Sequence, residues 1–338
     1  MKSRPITISM GDPSGIGPEV TIKALVRGAA GRGTGTILVG DRAVYEEAAR
    51  RLGVPPRLAP WAPGEPVPTG AIPVWTVAAL SQQARRPGHP TDAGGQAAYA
   101  AIVGATRLVH DGVAGALVTA PICKANLKAA GVIGGGHTEL LARLDHADPV
   151  RMIMIGTRLR VALVTTHLPL ARVPEALTRR RVLDTILLTH ATLREHFGLR
   201  RPRLAVAGLN PHAGEGGLYG DEEVRIVRPA VREAIRHGIA ATGPLAADSV
   251  FPLAAAGRFD AIVCMYHDQG LGPFKLLHFR DGVNFTAGLS FVRTSPDHGT
   301  AHDIAGRGVA DPASMIAAIR LAARLGRHRR PRRQRVAA

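Results

Sequence analysis

Short apolar runs alternate along the chain with longer stretches in which apolar residues recur at helical spacing. The runs Ile6–Met10, Thr36–Val39, Ala116–Thr119, Val161–Thr165, Leu204–Gly208 and Ala261–Met265 predict strands. Their apolar residues are contiguous rather than alternating, as expected of strands buried on both faces of a mostly parallel sheet. Helices are predicted over Glu19–Arg27, Gly95–Val109, Leu177–His196, Asp221–His237 and Ser314–Leu325. Pro18 suits the start of the first, where its missing N–H has no cost, and Glu19 beside it suits the helix dipole. Alternating strands and helices predict an α/β fold layered α/β/α. Pro55–Pro73, where Pro and Gly cluster around Trp61, reads as a surface excursion rather than a domain boundary. No repeat of solenoid period is visible.

Composition narrows this picture. A length of 338 residues suits two domains or one large α/β unit, and 46% hydrophobic residues exclude disorder of the whole chain. No apolar run is long enough to span a membrane. The stretch Ile6–Met10 is too short for an export signal and runs into Asp12. A soluble cytoplasmic protein is expected. Two cysteines, Cys123 and Cys264, exclude a disulfide scaffold and fit a reducing compartment. The formal net charge is +17, but nearly half of it comes from eight arginines in residues 320–338. That distribution reads as a solvated basic tail, and neither a nucleic-acid partner nor a membrane is expected. Dinucleotide-fingerprint, Walker A, zincin and nucleophile-elbow sequences are all absent.

Candidate chemistry sits at strand ends. Three predicted strands run into a histidine: Val161–Thr165 into His167, Leu204–Gly208 into His212, and Ala261–Met265 into His267. In open parallel sheets ligands bind beyond the carboxyl ends of strands. Three imidazoles there could hold one divalent metal with a position left for substrate, although a histidine beside a strand is also a common packing residue. Other polar residues resist explanation as packing. Gly134-Gly-Gly-His137-Thr138-Glu139 reads as a glycine turn presenting His137 and Thr138 at a helix start, either as an anion contact or as a flexible turn with a capping Thr. Lys275, one of five lysines, lies in an apolar stretch; Asn284 and Arg293 follow, and Arg293 suits bidentate contact with a carboxylate or phosphate. The set suggests a small acidic substrate beside a metal.

Five motifs occur in order: Met10-Gly-Asp-Pro-Ser-Gly-Ile-Gly-Pro-Glu19, Gly136-His-Thr-Glu-Leu-Leu141, Gly208-Leu-Asn-Pro-His-Ala-Gly-Glu215, Met265-Tyr-His-Asp-Gln-Gly-Leu271 and Arg293-Thr-Ser-Pro-Asp-His-Gly-Thr300. With them the chain, from about residue 4 to residue 325, closely resembles the 4-hydroxythreonine-4-phosphate dehydrogenase family of vitamin B6 synthesis. The resemblance implies a two-domain α/β/α fold like that of isocitrate and isopropylmalate dehydrogenases, working as a homodimer whose active site is shared between subunits. The expected division is 1–125 plus 286–326, then 126–285 carrying most metal and substrate residues, with 327–338 as the basic tail. The resemblance implies metal ligands at His167, His212 and His267 and substrate contacts at His137, Thr138, Lys275, Asn284 and Arg293. Asp248 and Asp268 match family acids and are given supporting catalytic roles only. The implied reaction is oxidation of 4-phosphooxy-threonine, a small phosphorylated amino acid, by NAD(P)+ with decarboxylation to 3-amino-2-oxopropyl phosphate. It would use one divalent metal per site (Zn2+, Mg2+ or Co2+) and serve pyridoxal 5'-phosphate biosynthesis. Residues that bind the nicotinamide cofactor are not assigned.

Relatives that oxidise erythronate or threonate phosphate, or an aromatic dihydrodiol, are the nearest alternatives, and a metal-dependent hydrolase is the alternative from another class. Two departures from the family pattern stand out. Ser290 replaces the more usual Pro, a loop difference expected to matter little. Gly216-Gly-Leu-Tyr-Gly-Asp-Glu-Glu223 varies the segment beside His212.

Overall fold

The computed structural model describes residues 4–31, 34–54, 56–129, 131 and 136–327. Its strands are β1 (Ile6–Ser9), β2 (Thr36–Gly40), β3 (Leu58–Pro60), β4 (Ile72–Thr76), β5 (Ala116–Thr119), β6 (Arg151–Ile155), β7 (Arg160–Leu163), β8 (Arg203–Ala207), β9 (Ala240–Leu245), β10 (Ala261–Cys264), β11 (Val283–Ala287) and β12 (Val292–Pro296). The helices are α1 (Gly17–Val26), α2 (Arg42–Arg51), α3 (Asp92–His110), α4 (Lys124–Ala129), α5 (His137–Leu144), α6 (Val173–Ala176), α7 (Arg179–Glu195), α8 (Arg228–Arg236), α9 (Ala247–Ala255), α10 (His267–His278) and α11 (Ala313–Gly326). The chain divides into two compact units, one reaching Ala147 and resuming at Leu289, the other running from Asp148 to Gly288.

These crossings correct the expected division after residues 125 and 285. Residues 126–147 belong to the first unit because Leu127, Leu140 and Leu141 are buried there. The Asn126 amide donates to Asp12 at 3.0 Å, and Asp145 pairs with His110 at 2.9 Å, both within that unit. His137, Thr138 and Arg293 therefore lie in the first unit, while the three strand-end histidines, Lys275 and Asn284 lie in the second.

In the first unit the strand order is β3-β4-β2-β1-β5-β12 with every pair parallel. All residues of β1, β2, β5 and β12 are buried, so helices must cover both faces. Helix α3 packs on β1, β2 and β5, and α11 on β12 and β5. Pro18 stands in the first turn of α1 as expected, and the Glu19 carboxylate binds Lys23 at 2.8 Å. The Lys23 ammonium also donates to the carbonyls of Gly308 and Ala310, so this partly buried pair ties α1 to the loop ahead of α11. The Pro55–Pro73 segment is not a mere excursion: it contains β3 and the start of β4, which form the edge of the sheet.

In the second unit the order is β11-β6-β7-β10-β8-β9. Strands β7, β10, β8 and β9 are parallel, whereas β6 runs antiparallel to both its neighbours. The core gathers Met154, Val161, Leu163, Ile262, Cys264 and Phe274. Gly270 lets α10 lie close on the sheet, since a Cβ there would stand 2.4 Å from the Val161 side chain. The predicted helix Asp221–His237 divides into a π turn, Glu223–Val227, and α8. Pro229, which has no N–H to give the ladder, stands in the first turn of α8.

Among the described residues no helix is long and apolar enough to cross a membrane. Both cysteines are free thiols, and burial pushes the Cys264 thiol up. Of the arginine-rich C-terminus, Arg320 and Arg324 belong to α11 and Arg327 donates to Thr34 at 2.8 Å; residues 328–338 lie outside the described residues.

Candidate active site

Strands β7, β10 and β8 are adjacent and parallel, so His167, His212 and His267 all follow carboxyl ends on one edge of the same sheet. The ends of β7 and β10 are held in step. The N–H and hydroxyl of Thr165 donate to the Met265 carbonyl at 3.2 and 2.7 Å. As a result the His167 and His267 rings face each other with centroids 5.9 Å apart and planes tilted by 40°. His267 opens α10, and its Nδ1 lies 2.7 Å from the exposed Asp268 carboxylate.

His212 is placed differently. It begins a left-handed turn, residues 212–216, and its ring meets Tyr219 edge-on at 5.8 Å while Nδ1 lies 3.3 Å from Glu215. Among the described residues no group of three His, Cys, Asp or Glu side chains is placed to hold a metal ion. The structure thus brings together two of the three expected ligands and turns the third towards its own loop. The donors present still fit a divalent cation of borderline softness. Two imidazoles are in ring contact, and a carboxylate at Nδ1 of one leaves its Nε2 to a metal.

Lys275 lies about two helical turns beyond His267 on α10, with its ammonium 5.5 Å from the Phe279 ring. Asn284 sits on β11 opposite Met154, and its Oδ1 is buried without a hydrogen-bond partner. Asp248 is exposed in the first turn of α9.

In the first unit, Arg293 on β12 is 1% exposed and is the largest fully buried side chain among the described residues. Its Nε and Nη2 donate to the Thr119 hydroxyl, at the end of β5, at 3.1 and 2.6 Å. Burial pushes the guanidinium down to about 9, with the Glu139 carboxylate acting in the opposite sense. His137 opens α5, and its Nε2 is buried without a partner. Burial, then the charges of Arg293 and Lys124, hold this imidazole well below its ordinary range. A neutral imidazole and a desolvated guanidinium whose charge it feels form a locus that gains from an incoming anion. The helix cap here is Glu139, which accepts from the Gly136 N–H at 2.8 Å, rather than Thr138. Thr138 is the half-buried second residue of α5, and Gly134 and Gly135 lie outside the described residues.

Sequence reasoning assigned no part to Thr119, Lys124, Glu223 or Gln269. Gln269 lies inside a quoted motif, but nothing local marks its side chain as a bridge. Ser290 also matters more than expected. Its N–H donates to Asp145 at 2.5 Å and its hydroxyl binds the same carboxylate, and proline could supply neither donor.

Fold and site together define an α/β protein with paired histidines at strand ends and a separate buried arginine suited to an anion. The model of the family described as pyridoxal phosphate biosynthetic protein PdxA matches residues 33–322, and the chain belongs to that family. It is 49% identical over 327 residues to 4-hydroxythreonine-4-phosphate dehydrogenase of Geobacter metallireducens, covering 95% of each chain. The crystal structure of 4-hydroxythreonine-4-phosphate dehydrogenase from Klebsiella pneumoniae is 42% identical, with a TM-score of 0.85 over 96% of this chain and 98% of that one. Terephthalate 1,2-cis-dihydrodiol dehydrogenase from Burkholderia xenovorans is more distant, at 32% identity and a TM-score of 0.65 over 95% of this chain and 97% of that one.

Proposed function

We propose that the chain oxidises the C3 alcohol of 4-phosphooxy-threonine with NAD(P)+ and releases carbon dioxide, yielding 3-amino-2-oxopropyl phosphate for pyridoxal 5'-phosphate synthesis. The observation that carries the reading to this chain's own residues is the buried Arg293, whose charge is felt at His137, itself left with a buried, partnerless Nε2. A bound divalent cation (Zn2+, Mg2+ or Co2+) would supply Lewis acidity to the substrate's alcohol and carboxyl groups, and the nicotinamide would be the hydride acceptor.

The chain's residues bind and orient. His167 and His267 would hold the cation, with His212 joining them once its ring turns from Glu215 and Tyr219, and Asp268 would fix the His267 ring through Nδ1. Arg293, His137 and Thr138 take an anionic group of the substrate, the guanidinium already aimed by Thr119. Lys275 and Asn284 contact further polar groups of the substrate. The unsatisfied Oδ1 of Asn284 favours a donor such as a hydroxyl or ammonium. Asp248 and Asp268 act in support. By family likeness the protein works as a cytoplasmic homodimer sharing its active site between subunits, and light scattering on the purified chain tests the dimer.

The decisive assay follows nicotinamide reduction with 4-phosphooxy-threonine, erythronate phosphate, threonate phosphate and an aromatic dihydrodiol, each with and without chelator. Chelator-sensitive reduction strongest with 4-phosphooxy-threonine is expected. Preference for another member of the panel reassigns the substrate, and turnover of a phosphate ester without nicotinamide points instead to the hydrolase.

A further inference from the structure

The backbone leading into the turn that presents His212 rests on a buried carboxylate, and Glu222 shares in holding the Asn210 amide, at 2.7 Å. Glu223 is 1% exposed. Its Oε1 accepts from the N–H of Leu209 at 2.6 Å and of Asn210 at 2.7 Å, and its Oε2 accepts from the Asn210 amide at 3.0 Å. A Cβ at Gly208 would stand 3.0 Å from Oε1, and one at Gly214 2.6 Å from Oε2, so the backbone on both sides of His212 lies directly on this carboxylate. The Asn210 carbonyl in turn accepts from the Ala213 N–H at 3.1 Å, closing the turn around His212.

That turn is costly in backbone terms. Residues 212–216 all have φ between 40° and 77°, and three of them, His212, Ala213 and Glu215, are not glycine. Left-handed residues of this kind cost roughly 1 kcal/mol or more each and persist only where the surroundings over-determine them. Three donors converging on one buried carboxylate are such a constraint, and charge-assisted bonds are the stronger kind. Glu223 opens the π turn ahead of α8, a rare geometry that recurs at functional sites.

We infer that Glu223 is the positioning residue of His212. It fixes the backbone of the turn, so that the exposed imidazole is left only its own side-chain torsions with which to reach a metal. The inference rests on the proposed role of His212 as a ligand, and it assigns Glu223 no contact with metal or substrate.

The test titrates Co2+ into metal-stripped full-length protein by calorimetry, with melting temperature and circular dichroism recorded for every variant. Glu223→Ala should weaken Co2+ binding by about 10–100-fold, the usual range for residues that orient metal ligands. His212→Ala should weaken it at least as much, and the double variant should be no weaker than His212→Ala alone. Glu223→Gln should recover most of the affinity, because its oxygen still serves the two backbone donors. Wild-type affinity in Glu223→Ala beside a weakened His212→Ala overturns this inference and leaves the ligand reading standing, as do fully additive losses in the double variant. No change in His212→Ala removes the ligand reading and this inference with it. Should Glu223→Ala fail to fold, Glu223→Asp takes its place: its shorter side chain cannot reach both backbone donors, so severalfold weaker binding supports the inference and unchanged binding overturns it.

Discussion

The side chain of Gln269 bridges the ends of two neighbouring strands: its Oε1 accepts from the Met265 N–H at 2.7 Å, and its Nε2 donates to the Gly208 carbonyl at 2.6 Å. One buried amide thus sets the ends of β10 and β8 level, and those ends lead into His267 and His212. Gln269→Leu keeps the size of the side chain but leaves a buried N–H and a buried C=O unpaired. Each unpaired group costs about 1–3 kcal/mol. The variant should melt several degrees lower and lose kcat more than it gains in KM, as thermal denaturation and steady-state kinetics would read. Wild-type kcat in a destabilised protein would confine Gln269 to a structural part.

Asp268 offers a test of the imidazole pair that leaves its geometry intact. Asp268→Asn preserves shape at His267 Nδ1 but removes the negative charge, and should weaken divalent-cation binding by about 10–100-fold. His167→Ala and His267→Ala should lose chelator-sensitive activity altogether. Metal content by mass spectrometry after dialysis would show both effects. Full metal retention in His267→Ala would remove the pair from the site.

Arg293 is expected to matter through its planar fork and not only its charge. Arg293→Lys should raise KM for the phosphorylated substrate by about tenfold or more, because a point charge cannot reproduce the paired donors. Thr119→Val, which takes away the acceptor that aims the guanidinium, should have a smaller effect in the same direction. Inhibition by inorganic phosphate gives a second reading, since it should weaken in step with KM. Unchanged kinetics in Arg293→Lys would count against an anion site.

The Ser290–Asp145 contact predicts a specific pH response. Burial pushes the Asp145 carboxyl up, but bonds from His110 and Ser290 together hold it below its ordinary value. A carboxyl depressed in the folded state adds stability above its unfolded pKa, and that contribution is lost as pH falls through the folded value. Ser290→Pro removes both serine donors, so it should cost about 2 kcal/mol at neutral pH. The difference from wild type should shrink on acidification. Melting curves between neutral and strongly acidic pH measure this; a difference that does not change with pH would assign the loss to backbone strain.

Much of the fold is legible from local pattern. Strands β1, β5 and β10 coincide with contiguous apolar runs to within a residue, and α3, α7 and α11 with helical periodicity to within a few. Helix α10 escaped notice because Gly270, Gly272 and Pro273 interrupt its pattern, although the glycine is what lets it pack closely on Val161. Helix α2 escaped because it is largely polar, and its Asp41 cap is evident only from the bond to the Ala43 N–H.

Local sequence settled the type of the strongly patterned elements and the position of each histidine just past a strand, because periodicity and chain direction act over a few residues. Only folding decided which groups meet. Arg293 and Thr119 are 174 residues apart in the chain, Ser290 and Asp145 are 145 apart, and Gln269 and Gly208 are 61 apart. No short-range signal encodes those pairings: Arg293–Thr119 and Gln269–Gly208 follow from the order in which parallel strands are laid side by side, and Ser290–Asp145 joins the end of α5 to the loop before β12. The same holds for His212: its place after β8 could be read from the chain, but its left-handed turn depends on a carboxylate buried beneath it after the chain has doubled back.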